Sequence, residues 1–364
     1  MANQVPKLIR EMVFDWCTSC VGGAWANLPE EDFQISPLSG GLTNMMYICT
    51  LPSHCKLQGS EPRRLLVRVY GELSKSMAFV LNSSVLFSIL AERKLGPKLF
   101  GVFPRGRVEE FLPARPLLTK ELAKPEISRQ IARKLAMFHS LSVPLCKQPS
   151  WFFANLERWV DQAVDNMRYD NKLALNDRLH KYLSFDLLME FRELKQRLLN
   201  ENSPVLFCHN DLQEGNILLE KKEDDEEPVL TFIDLDYCNY NYRGFDFANH
   251  MMEWCYDYTV DQPPYFKYTP CSYPSLEEKY VFFCEYIQTR DGSSEVKTEE
   301  LAQMNQETDM FALASSFWWG TWALVQACSS DINFDYVEYS ISRFDHYFSW
   351  KSKLDKCVFK TFNH

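Results

Sequence analysis

Glycine is scarce in this chain, 13 residues of 364, and the 18 prolines are only the ordinary share; together they are too few for a low-complexity or disordered polypeptide. Positive charge is also short. Against 49 Asp and Glu stand 39 Lys and Arg, a net charge of −10, and Pro62-Arg63-Arg64 is the nearest approach to a basic cluster. That balance lacks the electrostatic footprint of a nucleic-acid or anionic-membrane binder. No signal-peptide apolar core appears in MANQVPKLIREMVFDW, so the 12 cysteines are expected to be reduced thiols of a cytosolic protein. Cys17 and Cys20 form a CxxC with no second pair or histidine at zinc spacing, and read as two buried thiols. A Walker A motif is missing too: Gly101 and Gly106 have the glycine spacing, but Arg107-Val108 replaces the required Lys-Ser/Thr. Residues 310–330, MFALASSFWWGTWALVQACSS, lack charge over a membrane-spanning length. Ser315, Ser316, Thr321 and Gln326 are costly in hydrocarbon and no basic flank anchors them, which predicts a buried helix and no membrane insertion.

Apolar residues, at 46%, are ample for a large core, and aromatics reach 14% and thicken after residue 230. FQISPLSGGLTNMMYICTL reads as a strand, a turn at Ser39-Gly40-Gly41 and a returning strand. RRLLVRVYG is the next strand. Residues 76–95 carry Val80, Val85, Leu86, Ile89 and Leu90 at helical spacing and stop at Gly96-Pro97. Short strands follow in KLFGVFPRGRVEEFL. After Pro113 the pattern turns helical, with Ile131, Leu135 and Phe138 on one face and a long amphipathic segment over 151–200. One β island, VLFCHND, NILLE and VLTFIDLD, interrupts it around a solvated loop, KKEDDEE.

The densest chemistry lies in FCHNDLQEGNILL, where an apolar strand leads into His209-Asn210-Asp211 and Asn216 follows five residues after the Asp. Phosphoryl transfer needs one carboxylate to accept a hydroxyl proton and ligands for the metal that neutralises the phosphates. Asp211 suits the base and Asn216 a Mg²⁺ ligand. Because the transition state is loose, an aspartate of ordinary pKa, about 3.9, serves. Asp234 ends a strand 23 residues later across a hairpin, where a kinase-type metal aspartate sits. An Asp at a strand end is alone most often a cap or turn residue; the order, spacing and hairpin context together point to a kinase. Asp236 reads equally as a further ligand and as a turn carboxylate. Upstream, Gly40-Gly41 with Thr43-Asn44 would let backbone amides approach phosphates, Arg68 interrupts an apolar strand where a cation could reach the α- and β-phosphates, and Glu110-Phe111-Leu112-Pro113 stands where a hinge would meet adenine.

The aromatic surplus bears on the acceptor. DFANHMMEWCYDY is expected as a helix capped by Asp246 and carrying Glu253, Trp254 and Tyr258. FWWGTWALVQ puts Trp319 and Trp322 on one helical face around Gly320, and Tyr339 follows. Such a stripe is more often core than ligand box, but here it accompanies a loop that needs a small hydroxylated substrate. Ring faces attract a poorly hydrated cation, each contact giving about 0.5 to 2 kcal/mol. Three or four approach about 6 kcal/mol of the roughly 8 that micromolar binding requires, and Glu253 could supply the remainder.

SGGLTNM, LVRVYG, LAERKLGPKLFG, EEFLPAR, FCHNDLQEGNILL, FIDLDYCNYNYRGFDFANHMMEWCYDY and ALASSFWWGTWALVQA together resemble the choline/ethanolamine kinase family, its choline branch more than the dedicated ethanolamine kinases. The similarity runs from about residue 33 to 350. It implies an α+β, two-lobed protein-kinase-like (aminoglycoside-phosphotransferase-like) fold: an N-terminal antiparallel sheet with one helix over 1–112, and a larger, mainly helical lobe with a small β hairpin over 113–364. It implies that Ser39, Gly40, Gly41, Leu42, Thr43, Asn44, Met45, Arg68, Glu110, Phe111, Leu112, Pro113, Ala114, Arg115, Gln213 and Asp234 contact ATP. Asp211 would be the base, with Mg²⁺ on Asn216 and Asp234, and Tyr237, Glu253, Tyr258, Trp319, Trp322 and Tyr339 would form the ammonium pocket. A homodimer is implied as well. Two departures stand out: Asn82, Ser83 and Ser84 occupy the helix position where the family carries an acid facing Arg68, and IDLDY replaces IDFEY. The expected activity is phosphorylation of choline, ethanolamine more weakly, in phosphatidylcholine synthesis. An ethanolamine or other small-amine kinase of the same fold and a pseudokinase are the alternatives.

Overall fold

The computed structural model describes residues 5–38, 44–70, 77–169, 173, 178–179, 186–220, 229–330 and 332–361, with backbone alone for 44, 77–83 and 357–361. The chain divides into two units, Met1–Arg115 with Leu218–Asp236, and Pro116–Ile217 with Tyr237–His364. The β island expected within the helical lobe is therefore shared: most of its hairpin groups with the first unit.

In the first unit α1 (Lys7–Cys20) buries Val13, Trp16 and Cys17, spaced i, i+3 and i+4. Trp16 stacks on Phe103, with centroids 4.7 Å apart. The sheet beneath is antiparallel, built from β1 (Gln34–Leu38), β2 (Asn44–Thr50), β3 (Arg64–Tyr70), β4 (Leu99–Phe103) and β5 (Gly106–Glu110) in the order β1-β2-β3-β5-β4. Between β3 and β4 runs α2 (Met77–Glu92). Period-two alternation puts Leu65, Val67 and Val69 in the core and turns Arg68 to the other face, opposite Arg107 across the β3–β5 ladder. Glycine is required at 106, since a Cβ there would lie 2.3 Å from the Arg68 carbonyl oxygen and 2.6 Å from the Trp16 ring. Cys17 lies against Cys49, whose hydrogen bond, with burial, pushes its thiol well up; burial carries Cys20 up to about 12. Both thiols stay protonated and unreactive at neutral pH.

Beyond β6 (Ala114–Pro116) the second unit opens with α3 (Thr119–Leu122), α4 (Pro125–His139), α5 (Ser150–Tyr169) and α6 (Leu187–Leu199), followed by β7 (Val205–Cys208). The hairpin β8 (Ile217–Glu220) and β9 (Val229–Phe232) completes a three-stranded sheet ordered β6-β8-β9, and β10 (Asn239–Tyr242) pairs with β7. Then come α7 (Arg243–Glu253), the short pair β11 (Tyr256–Asp257) and β12 (Lys267–Tyr268), α8 (Leu276–Asp291), α9 (Thr298–Ser329) and α10 (Tyr336–Thr361). The uncharged run 310–330 falls in α9 and its residues are largely buried. Among the described residues no helix is long and apolar enough to cross a membrane. Trp318 faces the core, stacked on Phe152 at 4.8 Å and edge-on to Trp159 at 4.4 Å. Gly320 lets α9 and α10 approach: a Cβ would already stand 3.3 Å from both Arg343 Cβ and the Phe344 ring.

The expected helix over DFANHMMEWCYDY needs correction. It begins at Arg243 and ends at Glu253, so Trp254 caps it and Tyr258 lies beyond β11. Asp246, expected as its cap, sits inside the first turn and has other partners.

Candidate active site

In the second unit β7 delivers His209, Asn210 and Asp211 into a turn in which Asn210 adopts φ +65°, a left-handed conformation that asparagine tolerates better than most residues. Asp246 of α7 secures it. Fully buried, its carboxylate accepts the His209 amide at 2.7 Å and the Asn210 amide at 2.6 Å, and His139 Nε2 of α4 at 3.0 Å. Burial alone would raise this carboxyl; the bonds from His139 and the amides hold it below its ordinary value. The Asn210 side chain donates to the Tyr237 carbonyl at 2.9 Å and accepts from Asn241 at 2.8 Å. A third tether comes from His250, also on α7: Trp254 donates to its Nε2, leaving Nδ1 to donate to the Leu212 carbonyl at 3.1 Å.

Asn216 restrains Asp211, the expected base, directly. Its Nδ2 donates to the Asp211 backbone oxygen at 2.8 Å and to Asp211 Oδ2 at 3.0 Å, and its amide oxygen remains as the atom suited to a hard cation. Gln213, expected at the nucleotide, caps its own turn by accepting the Gly215 amide at 2.7 Å. Next to it, Glu214 is buried and accepts from Thr119 at 3.0 Å. Desolvation first, then the charge of Glu253, pushes Glu214 up to about 8.

The aromatic residues expected around the ammonium come together, with two that the sequence did not single out. Tyr237 meets Trp319 edge-on at 5.6 Å and Trp319 meets Trp322 at 5.4 Å. Trp322 packs on Tyr336 at 5.7 Å, Tyr336 on Phe334 at 5.0 Å, and Phe334 on both Tyr339 at 5.5 Å and Tyr258 at 6.5 Å. These contacts form one continuous row of rings beginning at Tyr237, whose carbonyl the Asn210 side chain grips. Trp319 is held in place by its Nε1, which donates to Asn249 Oδ1 of α7 at 2.6 Å. At the other end Tyr258 donates to Glu253 Oε2 at 2.8 Å and pairs with the Tyr339 hydroxyl at 3.0 Å. Arg343, another residue the sequence did not single out, donates to Glu253 Oε1 at 2.5 Å.

In the first unit Arg68 is buried, and its guanidinium meets Asp234 at 3.3 Å, Asp236 at 3.7 Å and Glu109 at 3.7 Å. Burial works against that charge, and Asp234, Glu109 and Asp236 more than restore it. The question left by the missing helix acid has an answer here: Glu109, two residues along β5 from Arg107, faces Arg68. Arg107 reaches Glu109 at 3.6 Å and Asp236 at 3.9 Å, so Asp236 belongs to a buried ionic lattice. Burial and the neighbouring Asp234 raise Asp236 above its ordinary value. Asp234 adopts φ +60° and is the most exposed of the three acids that face Arg68, its side chain 36% accessible. An exposed carboxylate oxygen is the donor that magnesium prefers. Lys98 and Glu110 exchange two bonds, at 2.8 and 3.1 Å, Phe111 lies under Arg64 at 3.8 Å, and Ala114 turns back onto the Leu112 carbonyl at 2.8 Å; these contacts shape the expected hinge through Pro113 to Arg115. Ser39, Gly40, Gly41, Leu42 and Thr43 lie outside the described residues, Asn44 is described by its backbone alone, and Met45 is half exposed on β2.

Residues 35–348 match the family model described as choline/ethanolamine kinase. Choline kinase alpha of Mus musculus is 43% identical over 97% of this chain and 83% of its own length. A choline/ethanolamine kinase of Rattus norvegicus is 42% identical over 97% and 89%. Among solved structures, a choline kinase from Cryptosporidium parvum superposes with a TM-score of 0.80 at 25% identity, over 96% of this chain and 97% of that one.

Proposed function

The chain belongs to the choline/ethanolamine kinase family and has the protein-kinase-like fold, and we propose on that basis that it transfers the γ-phosphoryl group of ATP to the hydroxyl of choline, and more weakly to that of ethanolamine. The observation that carries this reading is the row of rings from Tyr237 through Trp319 and Trp322 to Tyr258 and Tyr339, anchored beside the loop that bears Asp211. A quaternary ammonium has no N–H to satisfy, and ring faces hold it without asking for acceptors. With its ammonium against the rings, the acceptor presents its hydroxyl to Asp211, which takes the proton as the oxygen attacks phosphorus. The bond from Asn216 keeps the Asp211 carboxylate oriented for that transfer. Asn216 and Asp234 offer the oxygen atoms for magnesium, which when bound neutralises phosphate charge. Arg68 is kept cationic by its three acids and serves the phosphates, with residues 39–45 and 110–115 holding the rest of the nucleotide. A cytosolic homodimer in phosphatidylcholine synthesis belongs to the same reading and is checked by fractionation and light scattering.

Purified protein given magnesium, ATP and choline is expected to form phosphocholine and ADP, with a higher kcat/KM for choline than for ethanolamine. Asp211→Ala is expected to abolish the reaction while leaving the melting temperature unchanged. Full activity in that variant would reject Asp211 as the base, and a tenfold preference for ethanolamine would reject the substrate order.

A further inference from the structure

Arg343 of α10 is completely buried, and its guanidinium carbon lies 3.7 Å from the Tyr256 ring centroid and 4.9 Å from that of Tyr339. One nitrogen makes its hydrogen bonds. Nη2 donates to Glu253 Oε1 at 2.5 Å and to the Tyr339 hydroxyl at 2.6 Å, and lies 3.1 Å from the Tyr258 hydroxyl. Among the described residues no acceptor meets its Nε or Nη1. The hydrogens can be followed round a closed circuit: Arg343 donates to Glu253 and Tyr339, Tyr339 donates to Tyr258, and Tyr258 donates to Glu253 Oε2. Each oxygen of Glu253 is thus engaged by the protein, and each hydroxyl proton of the two tyrosines is spent inside the circuit.

We propose that Arg343 is a positioning residue that sets the specificity of the ring-lined socket: by pairing with Glu253 it cancels that carboxylate's negative charge and occupies Oε1, while Tyr258, tied into the same circuit, occupies Oε2, which leaves mainly ring faces for the ligand. This rests on the reading that the socket holds the substrate's ammonium. A trimethylated ammonium loses nothing by it, since its methyl groups donate no strong hydrogen bonds and its charge is diffuse enough for ring faces. A primary ammonium carries three N–H donors that must leave water, and it finds Glu253 already neutralised and bonded. The discrimination comes from what the socket withholds from the smaller cation as much as from what it offers the larger one. Gly320 makes the placement of Arg343 possible by letting α9 lie against its Cβ.

The test is the ratio of kcat/KM for choline to that for ethanolamine, measured on the full chain with saturating magnesium and ATP. Arg343→Met releases the charge of Glu253, and the ratio is expected to fall at least tenfold. Arg343→Lys keeps the charge and can replace the single donating nitrogen; its ratio is expected to stay within threefold of wild type even where both KM values rise. Glu253→Gln/Arg343→Met removes the pair together, avoids an uncompensated buried carboxylate, and is expected to keep a ratio no lower than wild type. An unchanged ratio in Arg343→Met would overturn the proposal, as would a tenfold fall in Arg343→Lys or in the double variant, since the effect would then be loosened packing. Should Arg343→Met not fold, Arg343→Gln, which also removes the charge, takes its place with the same expected fall, and an unchanged ratio in it overturns the proposal. Wild-type protein that fails to phosphorylate choline would sink the underlying assignment of the socket, a result separate from any change in ratio.

Discussion

Asp246 is where the scaffold holds the loop that bears Asp211, and Asp246→Asn is the sharpest perturbation of it. The replacement keeps shape and removes charge. Its carboxylate takes two backbone amides, from His209 at 2.7 Å and Asn210 at 2.6 Å, and His139 Nε2 at 3.0 Å, all without solvent contact. An asparagine side chain has one acceptor oxygen, so its NH₂ must face one of those donors. A buried donor left without an acceptor costs about 1–3 kcal/mol, and bonds to an ionised acceptor are roughly twice as strong as neutral ones. The sum is about 3–5 kcal/mol, in the range for breaking a buried charged network. At roughly 2–4 °C per kcal/mol for a unit of this size, the melting temperature should drop by about 6–20 °C. Because the lost bonds hold the two residues immediately before Asp211, kcat should fall further than unfolding explains, by about 10²-fold at a temperature where the variant is fully folded. His139→Ala removes one of the three bonds and should give a smaller effect of the same kind. Thermal unfolding by near-ultraviolet circular dichroism, paired with kcat at 15 °C, measures both quantities. A melting point within 2 °C of wild type together with kcat within twofold would refute the role given to this carboxylate.

Two tryptophans one turn apart on α9 should part company: Trp318→Ala empties a fully buried site and costs about 3–5 kcal/mol of stability, whereas Trp322→Ala should raise the KM for choline about 5- to 30-fold, from a ring contact of about 1–2 kcal/mol, with the KM for ATP unmoved. Equal losses of stability in the two variants would contradict the difference in burial between these side chains. Acid should destabilise the chain through His250. Burial lowers this imidazole from 6.5 to about 4, so between those values the unfolded chain takes up a proton that the folded one does not. Stability is then lost as pH falls from 6.5 towards 4, by about 3 kcal/mol at 1.36 kcal/mol per unit. Melting temperature followed across that interval should show a shallower slope in His250→Gln; an identical slope would remove His250 as the cause.

Much of the local chemistry was legible because it is written at short range. His209, Asp211 and Asn216 lie within eight residues, and a strand followed by a turn suffices to place them. Trp319 and Trp322 share a helical face through spacing alone. The Asp246 error shows the limit of such reasoning: an aspartate near a helix start usually caps its own helix, but here the carboxylate is drawn to amides 36 and 37 residues upstream, where it answers a larger need.

The sequence by itself determined the spacing of His209, Asp211 and Asn216, the helical face that Trp319 and Trp322 share, and the alternation along β3 that turns Arg68 to the face opposite Leu65, Val67 and Val69, for each follows from backbone periodicity within one element. Tertiary structure alone decided which charges meet. Arg343 reaches Glu253 across 90 residues, and Glu109 joins Arg68 only because β3 and β5 are neighbours in a sheet. Desolvation is the reason. In water these acids and guanidiniums would be indifferent surface charges, and once buried each must find its opposite; only the fold determines which opposite is within reach.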